Sequence, residues 1–169
     1  IREKKLGLNT AHKIGYNYAI KNNYDYFITL DADLSHDPKE IPNIIKLLGL
    51  NSFVIGSRYV VGGKCELPFP RLALSVLGNK LIKLISRINC SEFTTSFRGF
   101  NLRKIKNFDM NLVKSNGYSF FMETIFLVSK FNNIIEIPIY FKNRTSGKSK
   151  IPKIEIIRTL INLFRLRIF

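Results

Sequence analysis

Tyr24 to Pro38 reads YDYFITLDADLSHDP, an aromatic and β-branched run that stops at three carboxylates, Asp31, Asp33 and Asp37. The run has the length and composition of a β-strand. A helix is expected straight afterwards: Asp37 is a favoured N-cap, Pro38 suits the first helical position and Glu40 stands where a capping box places its acid. A strand that passes through an acidic turn into a helix is the start of a βαβ unit. Ligands of such sheets sit beyond the carboxyl ends of the strands, which is where Asp31 and Asp33 fall.

The same alternation continues outward. Thr10 to Asn23 has helical periodicity, SFVIGS supplies a strand over Phe53 to Gly56, and VVGGK is a glycine loop. Arg71 to Ile88 and Gly117 to Lys130 read as helices, and Ile134 to Ile139 in IIEIPIY as a strand. The expected fold class is α/β, a Rossmann-like and mostly parallel sheet flanked by helices. With 169 residues, 46% of them hydrophobic, the chain can bury a core and is expected to form one domain over 1–169.

Lys and Arg number 27 against 12 for Asp and Glu, a formal charge of +15, so an anionic partner is expected. Nucleic acid is disfavoured as that partner, because the basic residues are scattered and no RNA-binding aromatic signature appears. Cys65 and Cys90 have neither metal-knuckle nor disulfide-framework spacing, which fits a reducing compartment. No apolar run approaches the roughly 20 residues that span a bilayer. The chain opens on IREKK rather than on Met, which suggests an N-terminally incomplete sequence.

Two aspartates at i and i+2 can share one hard divalent cation, Mg²⁺ or Mn²⁺, and a solitary Asp-x-Asp can equally be a solvated acidic turn. Its companions separate the two readings. DADLSHDP is followed in order by GSRYVVGG, RLALSVLGN, TTSFRGF, GYSFFME and RTSGKSK. This series resembles dolichol-phosphate mannose synthases and other polyprenyl-phosphate glycosyltransferases of family 2, which have the GT-A fold. The resemblance runs from GLNTA at Gly7 to Lys150. Such enzymes open with two further nucleotide-binding strands, which this sequence lacks. Three departures stand out: Asn9 replaces a glycine, Ser35 occupies a position that can be Gln, and Glu92 to Arg98 reads EFTTSFR where relatives have Asp-x-Thr-Ser-Gly-Phe-Arg.

The resemblance implies inverting, metal-dependent transfer of a sugar, mannose from GDP-mannose, to a polyprenyl or dolichyl phosphate. Asp31 and Asp33, with Ser35 beside them, would hold Mg²⁺ or Mn²⁺, and Asp31, Asp33 and Arg58 would be the catalytic set. Arg71, Ser75, Arg144 and Lys150 match positions that bind the acceptor phosphate, with Ser75 one helical turn beyond Arg71. Glu123 and Arg98 are assigned either to the sugar or to structure, Arg98 as an ion-pair partner of Glu92 or Glu123. A phosphate monoester, with its second pKa near ~6, is largely ionised at neutral pH and needs no protein base. His12 and His36 have no ligand spacing and are read as non-catalytic. The alternatives are another nucleotide sugar or a hydroxyl acceptor, which would need a base, with Glu123 the first suspect.

Residues 153–168 project as a basic amphipathic helix. Glu155, Arg158, Thr159, Asn162 and Arg165 share one arc, and Ile156, Ile157, Leu160, Ile161, Leu163, Phe164 and Ile168 the other. Such a stripe either packs on its own domain or lies in a membrane interface, where anionic headgroups attract its arginines. A lipid-linked acceptor favours the interface. The expected location is therefore cytoplasmic, peripheral on the cytoplasmic face of a membrane.

Overall fold

The structure is a computed structural model that describes residues 6–143, 159 and 161–166. In chain order it contains α1 (Leu8–Lys21), β1 (Tyr26–Thr29), α2 (Ile41–Leu48), β2 (Phe53–Ser57), β3 (Lys64–Cys65), α3 (Phe69–Ser86), β4 (Arg98–Asn101), α4 (Tyr118–Ser129), β5 (Ile135–Pro138) and β6 (Tyr140–Phe141). The main sheet has the order β1-β4-β2-β5, and β3 pairs with β6 alongside it. This is the expected α/β architecture, a central sheet flanked by helices.

Strands β1, β2 and β5 run the same way, and β4 is inserted antiparallel between β1 and β2. The main sheet is thus mixed, where the alternation of strands and helices in the sequence suggested a mostly parallel one. Its sequence, RGFN, hides β4, because Arg, Gly and Asn are poor strand formers. Tertiary packing explains the glycine. A Cβ at Gly99 would stand 2.6 Å from Ile44 Cγ2 and 2.8 Å from Leu48 Cδ1, so only glycine lets α2 lie this close to β4.

Every residue of β2 is buried, as expected of a strand covered on both faces. Phe53 and Ile55 point into one core with Tyr16, Phe100, Phe120, Met122 and Ile125. Val54 points the other way, to Ile44, Leu48, Phe97 and Ile137. Helix α2 covers one face of the sheet, and α1 and α4 cover the other.

Insertion of β4 has a functional consequence. Thr29 at the carboxyl end of β1 pairs with Arg98 at the amino end of β4. The loop that leads into β4, residues 91–97, therefore reaches the same end of the sheet as the turn that follows β1. Residues 161–166 are helical, and Leu163 is buried in the larger core while Ile161 and Phe164 face outward. The described part of the C-terminal stripe is thus divided, with Leu163 packed on its own domain. Most of 153–168 lies outside the described residues, as do Arg144 and Lys150.

Candidate active site

The acidic turn forms as the sequence suggests and is braced from three sides. Asp37 caps the following turn through its carboxylate, which accepts from the Lys39 amide at 3.0 Å. Asp33 Oδ1 accepts from the Ser35 amide at 3.1 Å and from Ser35 Oγ at 2.5 Å. Ser96 Oγ donates to Asp31 Oδ1 at 2.6 Å. The Asp31 side chain remains 37% exposed. Between the two aspartates and Ser35, Leu34 takes φ 64, a left-handed conformation that a branched apolar residue rarely adopts. Strain of this kind persists where surrounding structure over-determines it and clusters at functional sites. An open cavity of about 410 Å³ lies beside the turn, lined by Leu34, His36, Asp37, Pro38, Glu66, Lys142 and Asn143.

Relatives' glycine in the 91–98 loop is dispensable here. Among the described non-glycine residues only Asn23, Leu34, Arg87 and Asn107 have positive φ, so no residue of that loop needs glycine's freedom. Ser96 stands at the glycine position, and its hydroxyl is the one that holds Asp31.

Arg58 follows β2 and is buried in a two-pronged pair with Glu92. Nε donates to Oε2 at 2.7 Å and Nη2 to Oε1 at 2.9 Å, with Thr94 Oγ1 also 3.2 Å from Nη2. The guanidinium lies 4.7 Å from the centre of the Phe141 ring and 5.1 Å from that of Tyr59. Burial works to lower the Arg58 pKa, but the Glu92 carboxylate outweighs it and holds the pKa above its ordinary value. Glu136 fixes the same loop by accepting from the Ser91 and Glu92 amides at 2.8 and 3.0 Å.

Arg98 forms no ion pair with Glu92 or Glu123, the partners its sequence position suggested. Its guanidinium donates instead to the carbonyls of Thr95, Phe121 and Phe93 at 2.8, 2.7 and 3.0 Å, over the Phe121 ring. Burial pushes its pKa down to about 9. Glu92 is committed to Arg58, and Glu123 accepts from the Lys114 and Ser115 amides at 3.1 and 2.7 Å. Glu123 therefore anchors the chain ahead of α4.

The R-x-x-x-S-x-x-x-N stripe lies along α3. Arg71 is exposed near the helix start. Ser75 Oγ accepts from Tyr59 Oη at 2.7 Å, which ties α3 to the end of β2. Asn79 Oδ1 accepts from the Phe93 amide at 2.7 Å, which ties it to the 91–97 loop. Sequence reading assigned nothing to Ser96, Glu136 or Asn79, and gave Glu92 only as a partner for Arg98. The clustered hydroxyls of TTS and the even spacing of the stripe were the available signals.

Comparison with known proteins gives the family. Residues 1–108 match the family described as glycosyl transferase family 2. The chain belongs to that family. It is 29% identical over 166 residues to a protein of Micrococcus luteus named undecaprenyl-phosphate mannosyltransferase, covering 97% of this chain and 68% of that protein. A Mycolicibacterium smegmatis protein named polyprenol monophosphomannose synthase is 29% identical over 88% of this chain and 57% of its own length. One from Pyrococcus furiosus named dolichol-phosphate mannosyltransferase is 34% identical over 83% of this chain. The chain spans only 40% of that last relative.

Whether the turn suits a cation depends on its donors. Among the described residues no group of three or more His, Cys, Asp and Glu side chains converges as a metal cage. Two carboxylates and a hydroxyl are hard oxygen donors, however, and Mg²⁺ is ordinarily held by one or two carboxylates together with water and substrate phosphates. The donor set fits that mode.

Proposed function

We propose that this glycosyltransferase moves a mannosyl group from GDP-mannose to a polyprenyl phosphate with inversion at the anomeric carbon. The observation that carries the reading is the meeting, at one end of the sheet, of the partly exposed Asp31–Asp33 turn with the braced 91–97 loop, whose Ser96 hydroxyl holds Asp31. The names of three relatives supply the sugar and acceptor classes, and GDP follows from the resemblance to dolichol-phosphate mannose synthases.

Asp31 and Asp33, with Ser35 beside them, would hold Mg²⁺ or Mn²⁺. Such an ion supplies charge neutralisation on a diphosphate leaving group. Ser96 and Ser35 orient the two carboxylates towards the donor. Arg71 binds the acceptor phosphate together with Arg144 and Lys150, and Ser75 fixes the local helix to β2. Arg58, consumed by Glu92, stiffens the wall of the site rather than gripping phosphate. The acceptor's own ionised oxygen attacks, so no protein base is required. A hydroxyl acceptor is disfavoured, because Glu123 already accepts two backbone amides.

The membrane contact of such an enzyme falls on α3. Its outer face carries Phe69, Leu74, Leu77, Leu81 and Leu84, all exposed, beside Lys80 and Lys83. Apolar residues edged by cations suit the interface of an anionic leaflet. Among the described residues no helix is long and apolar enough to cross a membrane. The outer face of α3 supports a peripheral contact, which we read on the cytoplasmic face where GDP-mannose would be met.

The test is transfer from GDP-mannose to polyprenyl phosphate in vesicles, with Mg²⁺, by a chain that includes any flanking segments. Asp31→Asn and Asp33→Asn should each lower kcat by about 10²-fold or more, as loss of one preorganised electrostatic group does. Arg71→Ala should raise the lipid requirement roughly tenfold, the effect of one charged hydrogen bond worth about 1.5 kcal/mol. Glu123→Gln should retain turnover. Unchanged activity in both aspartate variants would remove the turn from the chemistry.

A further inference from the structure

His36 is almost fully buried between two rings, with centroids 5.2 Å from those of Phe97 and Phe141. It is no ornament of the core. Its Nδ1 accepts from the backbone amide of Asp31 at 3.1 Å. A ring nitrogen that accepts carries no proton, so the proton of the neutral imidazole stands on Nε2. Nε2 faces Thr95 Oγ1 at 3.4 Å, and that hydroxyl oxygen also accepts from the Phe97 amide at 3.1 Å.

The imidazole thus bridges the two segments that meet at the site. One nitrogen holds the main chain at Asp31, and the other meets the loop whose next residue, Ser96, donates to the Asp31 carboxylate. Thr29 Oγ1 in turn donates to the Ser96 carbonyl at 2.5 Å and closes the ring of contacts. With Leu34 held at positive φ in the same turn, the Asp31 backbone would otherwise be able to relax and carry its carboxylate away from that of Asp33.

We propose that His36 is a positioning residue: its Nδ1 acceptor fixes the Asp31 main chain, and so sets the relative placement of the Asp31 and Asp33 carboxylates for a divalent cation. This rests on the reading of those aspartates as a cation site. Partners that orient metal ligands without touching the metal commonly carry 10- to 100-fold in affinity.

Two amide variants isolate the acceptor. The Asn side chain can present its oxygen where Nδ1 stands, whereas Gln reaches to the position of Nε2 and leaves the Asp31 amide without its partner. Both bury an amide between the same rings, and Asn, a methylene shorter, leaves the larger gap, so a packing effect alone would weaken His36→Asn more than His36→Gln, opposite to the expected order. Mn²⁺ alone is titrated by electron paramagnetic resonance into wild type, His36→Asn, His36→Gln and Asp31→Asn, with thermal melting of each. The expected result is affinity within about threefold of wild type for His36→Asn and a loss of about tenfold for His36→Gln at matched melting temperature. Equal Mn²⁺ affinity in the two His36 variants overturns the positioning role while leaving the cation site standing. Equal affinity in wild type and Asp31→Asn overturns the cation reading itself, and the proposal with it. Should neither amide variant fold, Thr95→Val, which removes the other end of the bridge, decides: an unchanged Mn²⁺ affinity overturns the proposal, and a weakening of about threefold supports it.

Discussion

The 91–98 loop and the 31–37 turn meet at one end of the sheet and are built by opposite means. The loop is saturated: Glu92 is locked to Arg58, Glu136 accepts two loop amides, Asn79 accepts a third, and Arg98 is spent on three carbonyls. Its charged groups are buried and each is matched, Glu92 by Arg58 and Arg98 by backbone carbonyls. The turn keeps a carboxylate partly open to water and carries a residue in an unfavourable backbone conformation. Stability rests on the wall, and the proposed chemistry falls on the turn. Substitutions in the two should therefore separate folding from chemistry.

The largest effect is expected in the wall. Glu92→Gln leaves the Arg58 guanidinium buried without its counter-charge. Removing one partner of such a pair costs about 3–5 kcal/mol, because the remaining charge is neither solvated nor matched. Urea unfolding should show that loss as a lower midpoint at unchanged slope. A change below about 1 kcal/mol would mean that water reaches Arg58 and that the wall is no more closed than the turn.

Much of this arrangement was legible in the sequence. The strands at Tyr26 and Phe53 and the placement of Asp31 and Asp33 at a strand end follow from short-range rules, and the structure has each of them; Asp37 caps a 3-10 turn over Pro38–Glu40 that leads into α2 rather than α2 itself. What escaped depends on contacts distant in sequence. β4 is a strand only because its neighbours pair with it and α2 presses on Gly99. Arg58 was read as one of the catalytic set, and its pairing with Glu92 in another loop was not visible. His36 was set aside because no second metal ligand is spaced from it, but its role runs through a backbone amide five residues away, and side-chain spacing cannot show that.

A second prediction sharpens the contrast from behind the wall. His12 is buried against the Phe120 and Phe121 rings, and its pKa is lowered to about 4, first by burial and then by the Arg98 charge. The unfolded chain, with an ordinary histidine near 6.5, takes up a proton that the folded chain refuses. Stability from this group is therefore fully present above pH 6.5 and is lost as pH falls towards 4, by about 2–3 kcal/mol. Burial of His36 acts in the same direction. Melts across that window should fall steadily in wild type and about half as steeply in His12→Gln. An unaltered slope in the variant would take the pH dependence away from His12 and leave it to His36 and the carboxylates.

The smallest effect is expected on the turn, and its sign is the informative part. Leu34 is 64% exposed, so its side chain buries little, yet its φ of 64 places Cβ against the following carbonyl. For a non-glycine residue that conformation costs roughly 1–2 kcal/mol. Leu34→Gly removes the clash but adds roughly 0.5–1 kcal/mol of backbone entropy to the unfolded chain. The difference leaves a net gain of up to about 1.5 kcal/mol, read as a modest rise in melting temperature. The β-branched Leu34→Val should move the other way, since two γ-branches crowd the same carbonyl. The glycine variant should also hold its aspartates less firmly, so thermal stability rises while Mn²⁺ binding weakens. A fall in melting temperature for Leu34→Gly would show that the turn is relaxed rather than strained, and the division between a stable wall and a poised turn would then rest on the exposure of Asp31 alone.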